Sequence, residues 1–269
     1  MTTTRGLRDR ETPITMLTAY DALTARLVEA AGIDVILVGD SMGTTALGYD
    51  DTLPVTLEEA TSHTASVVRA TDDALVVADM PFLSVGVDES ETIRNAGRML
   101  KEAGADAVKL ESGPHTVDIT ERLTQLGIPV MAHLGLTPQH VNQLGGYTRQ
   151  GTTTEAAEEI LSLAREHEEA GAFALVLEHV PANVAGQITA ALDIPTIGIG
   201  AGPDCDGQVL VSADVMGLSE AQPPFAEQFG DVAAAMTDAI DSYREAVESG
   251  EFPAAEHSHV EESVDELTD

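Results

Sequence analysis

Short apolar runs rich in β-branched residues alternate with longer segments of helical period along most of the chain. The runs at 14–20 (ITMLTAY), 34–40 (DVILVGD), 74–80 (ALVVADM), 107–111 (AVKLE), 129–135 (PVMAHLG), 173–179 (FALVLEH), 195–202 (PTIGIGAG) and 209–215 (VLVSADV) predict eight strands. Helical patterns over 56–70, 89–104, 154–171 and 182–191 fall between strands, and another over about 226–248 follows the last. Four units share one punctuation, AAGIDVILV, EAGADAVKL, QLGIPVMAH and EAGAFALVL: a helix closes on a glycine and a strand begins. Repeated helix–Gly–strand units predict parallel strands joined by helical crossovers. Eight of them predict an α/β fold, a (β/α)8 TIM barrel, as a single domain over 1–250. A doubly wound open sheet shares the alternation, but no G-x-G-x-x-G follows the first strand, which weakens a dinucleotide-binding version. Residues 251–269 are acidic and poor in apolar side chains, and are expected to be a disordered tail.

Charge changes this picture at the surface. The 269 residues carry 46 acidic and 13 basic side chains, a formal charge of −33. Such a surface repels nucleic acid and anionic membranes, so neither is an expected partner. Outside the tail the acids lie on helices that also have apolar faces, the pattern of a solvated surface suited to high salt, where charges are screened within about 3 Å at 1 M. A halophilic protein is expected. The only cysteine, Cys205, fits a reducing cytoplasm. MTTTRGLRDRETP has no apolar core of a signal peptide, and no apolar run reaches the ~18 residues of a membrane span, so the expected location is cytoplasmic.

Candidate chemistry lies at the strand ends, where (β/α)8 barrels carry their active sites. Asp40 and Ser41 follow the second strand, Asp79 ends the third, Lys109 and Glu111 lie on the fourth, His133 on the fifth and Glu178 on the sixth. An acid after one strand is commonly a turn or capping residue. Ionisable groups at five successive strand ends are harder to assign to turns. Lys109 is one of only two lysines. Alternation along the strand turns Lys109 and Glu111 to one side, into the barrel, and Val108 and Leu110 to the other. A structural ion pair is one reading, although a buried pair is seldom a net gain over apolar packing. The other is a fixed cation for an anionic ligand. Asp40, Asp79 and Glu111 come from adjacent strands about 4.8 Å apart, so three carboxylates can converge. A hard divalent cation, Mg2+, suits such oxygen ligands. Glu178, four strands from the second, would face that metal across the cavity, a suitable place for a general base. His257 and His259 lie in the tail and are read as incidental.

The segments VGDSMGTTALGYDDTLPVT (38–56), ADMPF (78–82), AVKLESG (107–113), AHLGLTPQHVNQLGGY (132–147), LVLEHVP (175–181) and IPTIGIGAGPDCDGQVLV (194–211) resemble the ketopantoate hydroxymethyltransferase family in order and spacing. The resemblance implies transfer of a hydroxymethyl group from 5,10-methylenetetrahydrofolate to 3-methyl-2-oxobutanoate. The product is 2-dehydropantoate, on the route to pantothenate and coenzyme A. It implies Mg2+ and a homo-oligomer, often a decamer. It places Asp40 and Asp79 on metal and ketoacid, Ser41 on the ketoacid carboxylate, Lys109 on the substrate, Glu111 on the metal through water, and Glu178 as proton acceptor. The chain departs from the family at QPPFAEQFGD (222–231), where basic residues are usual. Two other classes share parts of the pattern. A related Mg2+ barrel mutase or C–C lyase usually lacks GYDDTLPVT. A non-catalytic assembly protein would be expected to have a damaged site, and here every ionisable position is filled.

Overall fold

The computed structural model describes residues 2–219 and 221–261. Eight parallel strands close into a barrel in chain order: β1 (Ile14–Thr18), β2 (Val35–Val38), β3 (Leu75–Asp79), β4 (Ala107–Glu111), β5 (Val130–Gly135), β6 (Ala174–Glu178), β7 (Thr196–Ile199) and β8 (Gly207–Leu210). The (β/α)8 expectation holds. The helices that cover it include Ala22–Ala30, Leu57–Val68, Glu89–Arg98, Val117–Gln125, Thr154–Glu169 and Ala182–Ala191. Thr56 and Glu59 form a reciprocal capping box at the start of Leu57–Val68, which satisfies backbone donors left open at a helix N-terminus. The four punctuating glycines, Gly32, Gly104, Gly127 and Gly171, all take left-handed backbone angles, with φ of 80°, 84°, 85° and 92°. A side chain would be strained there, which is why the pattern recurs at helix-to-strand junctions.

Side-chain alternation divides the core. Met16, Val35, Leu37, Leu75, Val77, Ala107, Met131, Ala174, Val176, Ile197 and Val209 fill the barrel interior. The alternate positions, among them Val108, Leu110, Ala132 and Leu175, pack outward under the helices. Apolar layers therefore occupy the barrel up to the C-terminal ends of the strands, where polar side chains replace them.

Two features depart from the sequence reading. No helix joins β7 to β8; residues 200–206 make the connection. Residues 212–215, expected to continue the eighth strand, belong to the helix Ser212–Met216. The amide of Ser212 donates to Thr18 Oγ1 at 2.9 Å instead of extending the ladder. Closure rests on β8 pairing with β1 over Ile14–Leu17. By compactness the chain has two units, one of residues 2–212 with 222–226 and the other of the described residues among 213–221 and 227–261. The second holds the helix Val232–Ser249, C-terminal to which a short turn spans Ala255–His257 and Phe252 packs edge-on against Tyr243. Of the expected tail, 262–269 lie outside the described residues. Among the described residues no helix is long and apolar enough to cross a membrane.

Candidate active site

The polar layer begins where strand pairing sets its register. Asp79 is paired with Lys109, Glu111 with His133, and Gly135 with Glu178. Lys109 Nζ donates to Asp79 Oδ1 at 2.6 Å, and both residues are buried. Asp40 lies two residues beyond the end of β2; its backbone N–H donates to Asp79 Oδ2 at 3.3 Å. A cavity of about 100 Å³ is lined by Asp40, Ser41, Asp79, Lys109, Glu111, His133 and Glu178, over a wall that includes Leu37, Val176, Ile199 and Val209. All six residues singled out from the sequence as site residues therefore line one cavity, and Lys109 and Glu111 point inward as alternation requires.

The electrostatics of this cavity are dominated by crowded carboxylates. Burial, and then the neighbouring Asp79 and Glu111, push the Asp40 carboxyl well above its usual range. Lys109 stays firmly protonated: the desolvation that opposes its charge is outweighed by Asp79, Asp40 and Glu111. Glu178 lines the same cavity. Burial raises its pKa to about 7, with Lys109 pulling the other way. Its Oε2 lies 3.1 Å from His133 Nε2, yet neither ring nitrogen of His133 is aligned for a hydrogen bond. Burial and the charge of Lys109 lower the pKa of His133 to about 4, so this contact is between a carboxyl group and a neutral imidazole.

Backbone geometry holds Glu178 in place. Gly135, opposite it on β5, has φ of 98°, and a Cβ there would lie 2.2 Å from the carbonyl oxygen of Glu178. Only glycine permits that approach. His179, the next residue, takes φ of 50°, a left-handed angle uncommon outside glycine. Its N–H donates to Ile199 O at 2.8 Å, and its carbonyl accepts from Gln150 N.

Two site residues were not anticipated. Tyr20 shares a 2.8 Å hydrogen bond with Ser41 Oγ, and burial pushes its phenol pKa up. Gln139, in the short turn Pro138–His140 after β5, bonds to Asp40, Met80 and Glu111. A lone tyrosine after a strand and a glutamine after a proline carry little signal in a sequence, because their partners are 21 to 99 residues away. The expected convergence of Asp40, Asp79 and Glu111 takes a looser form. Lys109 occupies Asp79 Oδ1 and the Gln139 amides take oxygens of Asp40 and Glu111. Among the described residues no three His, Cys, Asp or Glu side chains form a metal cage.

A closed parallel barrel with buried carboxyl groups and one lysine lining a cavity at the C-terminal ends of its strands has the arrangement of a (β/α)8 enzyme. Comparison makes this specific. The sequence profile described as ketopantoate hydroxymethyltransferase matches residues 1–255. The 3-methyl-2-oxobutanoate hydroxymethyltransferase of Halobacterium salinarum is 71% identical over 263 residues, covering 97% of this chain and 96% of that one. The enzyme of the same name from Haloarcula marismortui is 71% identical over 257 residues, covering 96% and 95%. The chain belongs to the ketopantoate hydroxymethyltransferase family and is a transferase. The halophilic origin of these relatives fits the acidic surface. Among solved structures, a phosphonopyruvate hydrolase crystallised with oxalate and Mg++ superposes with a TM-score of 0.62 at 14% identity, covering 96% of this chain and 93% of that one. It shares the fold.

Proposed function

We propose that this site transfers a hydroxymethyl group from 5,10-methylenetetrahydrofolate to 3-methyl-2-oxobutanoate, giving 2-dehydropantoate, with Glu178 as the base. The observation that carries the reading is Glu178 itself: a carboxyl group with a pKa near 7, in the same small cavity as Lys109, Asp40 and Asp79. A base poised near neutral pH combines a useful ionised fraction with proton affinity. The apolar wall of Leu37, Val176, Ile199 and Val209 suits the branched chain of the ketoacid, and the polar rim suits its carboxylate and keto oxygens. Ser41, with its hydroxyl already oriented by Tyr20, donates to the substrate carboxylate. Glu178 takes the proton from C3 onto its carboxylate. Lys109, held at 2.6 Å by Asp79, supplies a fixed positive charge toward the oxygen on which negative charge grows. C3 then forms its new bond to the one-carbon unit as the two carbon–nitrogen bonds to the folate break. Water supplies the hydroxyl, the proton taken from C3 and the one left from water go to the two folate nitrogens, and tetrahydrofolate leaves.

The residues fit a divalent cation. Asp40, Asp79 and Glu111 are buried beside a single ammonium group, which leaves an excess of negative charge when all three are ionised. Mg2+ needs only one or two carboxylates together with water and substrate oxygens. Asp40 and Asp79 would hold it, with Glu111 behind them through water. Such an ion supplies Lewis-acid stabilisation of a ketoacid oxygen. The fold relative solved with oxalate and Mg++ supports this part of the reading. Folate as donor, assembly into a homo-oligomer and a cytoplasmic location enter from the family resemblance and composition.

The test is hydrogen exchange at C3 of 3-methyl-2-oxobutanoate in D2O, followed by NMR with Mg2+ and no one-carbon donor. Glu178→Gln keeps the volume but loses the basic oxygen. Exchange is expected to slow by roughly 10²-fold or more. Exchange at near the wild-type rate, with only full turnover reduced, would reject Glu178 as the base.

A further inference from the structure

We propose that Gln139 is a positioning residue that fixes the aim of Asp40, so that one oxygen of that carboxylate is left for the metal. This rests on Asp40 being a metal ligand. The geometry is unusual in how many strand ends one residue ties together. From the turn after β5, Gln139 Nε2 donates to Asp40 Oδ2 at 2.9 Å, beyond β2, and to the carbonyl of Met80 at 3.0 Å, beyond β3. Its main-chain N–H is shared between the two oxygens of Glu111 on β4, at 3.1 and 3.0 Å. Both partners of the side-chain nitrogen are acceptors only, so the amide has one workable orientation.

Asp40 is the carboxylate that most needs such support. It lies past the last ladder residue of β2, Val38, so strand pairing does not hold its side chain, whereas Asp79 and Glu111 are on strands. Gln139 takes Oδ2, and among the described residues no donor reaches Oδ1. An amide suits the task better than a cation would. It fixes the carboxylate by a hydrogen bond without neutralising the charge that a metal needs, and a lysine or arginine there would compete with the ion for it. The side chain is not required merely to dock the loop, because the main-chain bonds to Glu111 already do so. Partners of this kind behind a metal ligand typically contribute 10- to 100-fold in affinity.

Mn2+ binding without substrate, measured by water-proton relaxation, tests this apart from activity. Wild type is expected to bind, Asp40→Ala to lose binding, and Gln139→Met to weaken it by about 10- to 100-fold. At saturating Mn2+ the C3 exchange rate of Gln139→Met should return to within about threefold of wild type, since Glu178 and Lys109 are untouched. Gln139→Asn, which withdraws the amide by one methylene, should show the same weakening and decides the matter if Gln139→Met does not fold. A lower melting temperature with an Mn2+ affinity within twofold of wild type would reduce Gln139 to a structural contact and overturn the proposal. Absence of Mn2+ binding by wild type would overturn the reading of Asp40 as a ligand, and this proposal with it.

Discussion

The two rims of the barrel use the same residue type in opposite ways. At the N-terminal rim, aspartates stand just before strands: Asp34 before β2, Asp106 before β4 and Asp206 before β8. Each reaches sideways to the backbone of an adjacent strand. Asp34 accepts from Thr15 N at 2.9 Å and Thr15 Oγ1 at 2.8 Å, and pairs with Arg10 at 2.7 Å. Asp106 accepts from Val76 N at 2.9 Å, and Asp206 from Thr196 N at 2.8 Å. These carboxylates meet donors. At the C-terminal rim Asp40, Asp79 and Glu111 meet one another, one lysine and one glutamine, with His140 Nδ1 3.5 Å from Glu111 Oε2. An acid surrounded by donors stabilises the fold, because removing it strands buried partners. Acids crowded by acids raise one another's pKa, a repulsion that the cation of the proposed function would relieve. The lower rim therefore serves the fold and the upper rim serves chemistry, as expected for this architecture.

The largest effect that separates the rims is expected at Asp79. Asp79→Asn removes one charge from the crowded rim and leaves Lys109 near Asp40 and Glu111, so no unpaired buried cation results. Turnover is expected to fall by about 10²- to 10³-fold, the usual scale for one electrostatic group at a reacting centre. The unfolding midpoint is expected to move little. Steady-state kinetics and a denaturant melt on one preparation check both. Retention of more than a tenth of the activity, or collapse of the fold, would remove the contrast.

The mirror experiment is Asp34→Ala. It removes the acceptor of the Thr15 amide and hydroxyl, which water can partly replace because Thr15 is exposed, and frees Arg10, a loss of about 1–2 kcal/mol of stability. Turnover at a temperature where the variant is folded should stay within twofold. A kinetic defect without a stability defect would place Asp34 among the functional groups.

Much of this contrast was legible in the sequence. The alternation in AVKLE fixes the inward side of Lys109 and Glu111, and the helix–Gly–strand units announce the parallel order. Position at the end of a strand rather than before it distinguishes Asp79 from Asp34. Local pattern fails where long-range contacts decide. VLVSADV alternates like a strand, but Thr18 captures the Ser212 amide across the barrel. Gln139 acquires its meaning only from partners on β2, β3 and β4. Glu178 was singled out by its place at the end of the sixth strand, but the burial that raises its pKa is a three-dimensional property.

The smallest effect sharpens the comparison within the upper rim at Glu178, the carboxyl group proposed as the base. Its folded pKa of about 7 lies above the ordinary value of 4.5. Only the ionised form accepts the C3 proton, so exchange should be flat above about pH 8 and fall roughly tenfold for each unit below 7. The same shift has a consequence for stability, with a definite sign. A carboxyl group with a raised folded pKa binds its proton more tightly in the native state. Its contribution is therefore complete below about pH 4.5 and is lost as pH rises through 7. Glu178→Gln, which never ionises, should thus match wild type near pH 4.5 and exceed it by roughly 1–3 kcal/mol at pH 8. Denaturant melts of the pair at the two pH values read this directly. The rate should level off at the same pH at which the stability change ends, near 7, because one proton on one carboxylate sets both, while the stability change begins near the unfolded value of 4.5. A variant no more stable than wild type at pH 8 would show that Glu178 is not held in an environment that opposes its charge, and the poised base would lose its physical basis.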